Sequence, residues 1–154
     1  MFRKLKIIGG IIVVCLSITG CGPSRVVQCN QLIATINKGN TLINSKSSYD
    51  ATTTNKLGEE LEEIAQELEA LELKDENLQE FQKDFSQTFK ELSQAFINMS
   101  LGLKTSTQVE ASLEGRKKFN QARTQVTQAG QQANQVAVNQ DISLEKLISY
   151  CQDN

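Results

Sequence analysis

Apolar residues separated by three and four positions run through most of this chain, and they leave little freedom over how it folds. Leu57, Leu61, Ile64, Leu68 and Leu71 alternate the two spacings, and Leu78, Phe81, Phe85, Phe89, Leu92, Phe96, Met99 and Leu103 carry them on. A period near 3.6 gathers each set on one face of a helix, and such a face needs a partner helix to cover it. The chain has no tryptophan or histidine and one proline, Pro23, so its six phenylalanines and its Leu, Ile, Val and Ala residues must fill the core.

Val26, Cys29, Leu32, Ile33, Ile36 and Ile43 predict a first helix over about 25–45, with Gly39 serving close packing or a bend. A polar stretch over 44–55 follows, where Asp50 or a neighbouring Thr is suited to cap a second helix. Asp75 is a cap for a third helix running to about Leu103, and Gly102 with Thr105–Thr107 reads as the next connection. A fourth helix is expected over about 106–137, its seam built from small residues such as Ala122, Ala129, Gly130 and Ala133. Asp141 or Ser143 then caps a short last helix carrying Leu144, Leu147, Ile148 and Cys151. The expected fold is all-α, an up-down four-helix bundle with a short C-terminal helix, closed by one disulfide.

Arg3, Lys4 and Lys6 precede an apolar run from Ile7 to Ile18. That run reaches only about 18 Å as a helix, against a hydrocarbon core of about 30 Å, which suits a cleaved export signal better than a membrane span. Ile18-Thr19-Gly20-Cys21 resembles the lipobox of bacterial lipoprotein precursors: an aliphatic residue, two small ones, then cysteine. The resemblance implies that the Cys21 thiol receives a diacylglyceryl group, that signal peptidase II cuts before it, and that the new amino terminus can be acylated as well. Residues 1–20 are then the signal, 21–25 a lipidated tether and 26–154 the helical domain. Two or three acyl chains hold a protein to a bilayer stably where one would not. The first expected partner is therefore the lipid bilayer, through acylated Cys21, and the expected location is outside the cytoplasm, on a periplasmic, outer-membrane or thylakoid-lumen face.

Of four cysteines, Cys15 leaves with the signal and Cys21 takes the lipid, so Cys29 and Cys151 remain to pair. An exported compartment permits their oxidation. A bond closing a loop of about 120 residues is worth up to about 5 kcal/mol in the chain-entropy treatment. A redox dithiol would show Cys-x-x-Cys spacing, and a zinc site would lack histidine ligands.

The whole chain has 16 basic and 18 acidic residues; without Arg3, Lys4 and Lys6 the balance is 13 to 18, a formal net of −5, which disfavours nucleic acid. Glu59, Glu60, Glu62, Glu63, Glu67, Glu69 and Glu72 crowd the second helix and read as a solvated face that needs packing to survive. The basic cluster Arg116, Lys117, Lys118 and Arg123 either offsets these carboxylates within the fold or contacts anionic lipid headgroups. The phenylalanine row reads as core, with a pigment or lipid pocket as the other use of such a stripe. No Gly-x-Ser-x-Gly, phosphate loop, dinucleotide fingerprint or histidine base occurs, so no enzyme, cofactor or metal is expected.

In shape the helical part resembles small helical envelope lipoproteins, including the PsbQ-like photosystem subunits. The expected role is a membrane-anchored, non-catalytic interaction or assembly factor whose distal loops face a protein partner. The alternative is a carrier holding a small apolar lipid or pigment between its helices.

Overall fold

The computed structural model describes residues 23–46 and 49–152. The expected signal, Cys15 and the expected lipidation site at Cys21 lie outside them. Every described helix starts at a side chain that offers an oxygen to otherwise unbonded amides of the first turn. Ser24 caps α1, Arg25–Asn44, accepting from the Val27 amide at 3.4 Å. Asp50 caps α2, Ala51–Glu69, accepting from the amides of Thr52 and Thr53 at 2.9 Å each. Asp75 caps α3, Glu76–Thr107, through the Leu78 amide at 3.0 Å, and Ser112 precedes α4, Leu113–Gln152, accepting from the Gly115 amide at 2.9 Å. Arg25, assigned above to the tether, is already helical.

Side-chain pairs give the directions. Lys38 meets Glu67 and Lys46 meets Glu60, so α1 and α2 are antiparallel. Ser86 bonds Glu69 while Ser100 bonds the Ala51 carbonyl, so α2 and α3 are antiparallel as well. Asn77 lies beside Tyr150 and Gln125 beside Asn98, which reverses α4 against α3. The chain is thus all-helical among its described residues, with four helices packed together.

α3 is the centre. Phe85 and Phe89 are wholly buried, with Leu78, Leu92 and Phe96 beside them, and Leu32, Ile36, Leu57, Leu61, Leu68 and Leu147 close around these rings. The phenylalanine row is therefore core for most of its length, while Phe81, Met99 and Leu103 are half-buried. Gly39 lets α1 approach because a Cβ there would run into the Phe89 ring, the packing role anticipated for it.

Two expected boundaries are corrected. Gly102 and Thr105–Thr107 do not form a connection: α3 continues to Thr107, and Gly102 sits where a Cβ would meet the Ala122 carbonyl of α4 at 2.9 Å. The glycine serves helix contact rather than a turn, and the connection lies at residues 108–112. The short C-terminal helix does not exist as a separate element either, since α4 runs unbroken for 40 residues through Asp141 and Ser143. Nothing from 131 to 152 is glycine or proline, so nothing forces a break. The interruption in the apolar pattern is Gln140, which is buried but bonded to Asn40 of α1 at 3.1 Å.

α4 instead carries a seven-residue repeat. Gly115, Ala122, Ala129 and Val136 are buried, and Ser143 and Tyr150 continue their row half-buried. Phe119, Val126, Ala133, Gln140 and Leu147 make a second row at the same interval. This is the period of a left-handed coiled pair, with small residues bringing the backbones close. At the other end of the fold Cys29 and Cys151 stand at disulfide distance, their Cα atoms 6.0 Å apart.

Candidate functional site

The end of the fold at which α1 begins is locked by polar groups. Gln28 is buried; its amide nitrogen donates to the Pro23 carbonyl at 2.8 Å, and its oxygen accepts from the Lys74 and Asp75 backbone amides. The Tyr150 hydroxyl donates to the Asp75 carboxylate, 2.9 Å from each oxygen, and accepts from Asn77 at 3.1 Å. The Arg25 guanidinium lies 5.1 Å over the Tyr150 ring, within cation–π range. Partial burial pulls the Asp75 carboxyl upward, but the Leu78 amide, the Tyr150 hydroxyl and the nearby Arg25 charge together hold it below its ordinary value. This clasp joins α1, the α2–α3 connection and α4 around the cysteine pair. It orders the start of α1, into which the chain from Cys21 leads.

The acidic α2 is compensated from its two neighbours. Lys46 and Lys56 hold Glu60, Lys38 pairs with Glu67, and Lys90 of α3 with Glu69. The Lys46 and Lys90 hydrogen bonds lower the Glu60 and Glu69 carboxyls respectively, and Lys90 is raised in return. Among the described residues no ion pair joins α2 to Arg116, Lys117, Lys118 or Arg123. The basic cluster therefore does not offset α2 within the fold. It lies at the far end of the fold: the first residue of α2, Ala51, is level with Ser100, and α3 goes on for seven residues beyond.

That overhang is the most distinctive surface of the molecule. At about 1.5 Å per residue, α1 and α2 are about 30 Å long, α3 about 48 Å and α4 about 60 Å. Residues 101–107 of α3 and the first turns of α4 consequently project as a two-helix arm. Leu113 is 89% exposed, with Leu101 and Phe119 also open to solvent. Lys104, Arg116, Lys117, Lys118 and Arg123 oppose only Glu110 and Glu114 along 101–124.

Below the arm, the early end of α1 at Asn44 leaves the α3–α4 face uncovered. An apolar groove of about 410 Å³ opens there, lined by Ile43, Tyr49, Phe96, Met99, Gly130 and Ala133 among others. Tyr49, in the α1–α2 connection, stacks on Phe96 with ring centroids 6.4 Å apart and flanks the opening. Gly130 is not required by packing: a Cβ there would touch only the Met99 methyl at 3.6 Å. Arg116, Arg123, Gly130 and Ala137 recur every seven residues, so one lane along α4 is small and apolar in the groove and cationic on the arm. Sequence reasoning named Gly130, Ala133 and the basic residues separately and missed that they share a lane; the inequality of helix lengths was the signal that could have joined them.

Among the described residues no group of three or more His, Cys, Asp or Glu side chains is placed to hold a metal ion. No described helix is long and apolar enough to cross a membrane. Compared with protein-family models, with curated proteins and with solved structures, the chain matches none.

Proposed function

We propose that this chain is a lipoprotein whose acylated Cys21 holds a cystine-closed helical bundle at a bilayer outside the cytoplasm, and that it acts there as a non-catalytic interaction or assembly factor. The observation that carries the reading is the uncovered α3–α4 face and its arm, at the opposite end of the fold from the start of α1. Pro23 lies two residues after Cys21 in the chain, and extended backbone spans at most about 3.6 Å per residue, so the clasped end stays close to the lipid. An upright bundle then presents its arm about 50 Å from the surface. A contiguous, partly apolar face at such a distance suits docking onto a neighbouring protein.

The test is chemical crosslinking in native membranes followed by mass spectrometry. The expected result is a mature chain beginning at diacylglyceryl Cys21, with crosslinks to one protein concentrated at Lys104, Lys117 and Lys118. A product that keeps Met1, carries no lipid and stays in the soluble fraction would overturn the reading.

The groove itself favours a second reading, carriage of a small apolar lipid or pigment. Its volume falls in the range of ligand sites, and Gly130 leaves room that packing does not use. A lipid or pigment copurifying in constant ratio with the chain, and lost from an Ala133→Phe variant, would favour it.

A further inference from the structure

We infer that the slot above α1 receives one helix of a partner protein, amphipathic along its length and acidic at the end that lies on the arm. The inference rests on the proposed docking role and gives its partner a chemistry. Two independent features define the occupant. The first is shape: α3 and α4 continue past Asn44 without a fourth helix, and the groove between them is floored by Leu92, Phe96 and Met99 and walled by Gly130, Ala133 and Ala137. Small residues on a seven-residue interval set the close spacing that a coiled helix accepts, and from Ala137 to Arg116 the lane is about 31 Å long, room for a helix of roughly twenty residues.

The second feature is charge. Arg116 and Arg123 stand on the same lane and are exposed, and among the described residues neither has a carboxylate within ion-pair distance. Phe119 lies between them and is 41% exposed. A helix seated in the groove thus meets apolar surface at one end and guanidinium groups at the other, which selects carboxylates there and rejects lysines. A second folded copy cannot supply this helix. Its own acidic amphipathic helix, α2, has Leu57, Leu61 and Leu68 wholly buried in its own core.

The same α2 segment as a free peptide, Ala51–Glu69, has the required chemistry and is the probe. Fluorescein-labelled peptide is titrated with the full mature chain in mild detergent, at low salt, with anisotropy as the readout. The expected result is saturable binding that weakens as salt rises and weakens at least about tenfold in R116E/R123E. Gly130→Phe, which fills the groove from a position where packing does not require glycine, gives the same loss, while circular dichroism of both variants stays unchanged. A peptide with every Glu replaced by Lys binds at least about tenfold more weakly. Absence of saturable binding overturns the inference, as does binding equal for the two peptides or indifferent to R116E/R123E. None of these results alters the mass of Cys21 or the membrane crosslinks, so the broader proposal stands or falls separately.

Discussion

Gly39 and Gly130 are both helical, yet a methyl group added at each meets opposite surroundings. At Gly39 it strikes the buried Phe89 ring, whereas at Gly130 it reaches only the end of Met99 at ordinary contact distance. Alanine gains up to about 1 kcal/mol over glycine in a helix, while overpacking a core costs about 1–3 kcal/mol. Gly39→Ala should therefore lower stability by about 1–2 kcal/mol in urea unfolding, and Gly130→Ala should raise it by about 0.5–1 kcal/mol. Tyr150→Phe removes the hydroxyl that donates to Asp75. The Asp75 carboxyl is lowered in the folded chain, so its contribution is complete above the ordinary carboxylate value and disappears as pH falls through the lower folded value. The variant should lose about 1 kcal/mol at neutral pH, and the difference from the parent should close in strongly acidic buffer.

At the scale of the element, α4 is the helix on which two accounts diverge. If a cap stood at Asp141 or Ser143, proline at position 143 would be tolerated near a helix start. In the continuous helix Ser143 is interior, and Ser143→Pro should cost about 3 kcal/mol or more, with loss of helical signal by circular dichroism. The apolar spacing of Leu57–Leu71 and Leu78–Leu103 made the second and third helices legible, and Asp50 and Asp75 announced their starts, because burial and capping act through neighbours close in sequence. Gln140 hid the continuity of α4, since its partner Asn40 lies in α1, a hundred residues away. The groove was illegible for a related reason. It is made by the end of α1, by Tyr49 folding onto Phe96 and by the overhang of α3 and α4, and each of these depends on the helices being assembled.

For the whole molecule, the pairing of α1 with α4 is the sparsest of the helix pairings. Gln140 with Asn40, Arg25 over the Tyr150 ring and the cysteine pair all join it, and the two cysteines lie 122 positions apart in sequence. Loss of a cystine closing so long a loop typically costs about 2–5 kcal/mol. The C29S/C151S variant should show that loss in urea unfolding. Hydrogen exchange should quicken first in α1 and in the last turns of α4, while the α2–α3 contact keeps its protection.

Cys29 lies in the second turn of α1 and Cys151 one residue before the end of α4, so bonding them makes almost the entire helical part a ring. A protease that nicks the 45–50 or the 108–112 connection would then release nothing. On a gel without reductant the nicked chain would migrate as one species, and both halves would remain joined through the cystine.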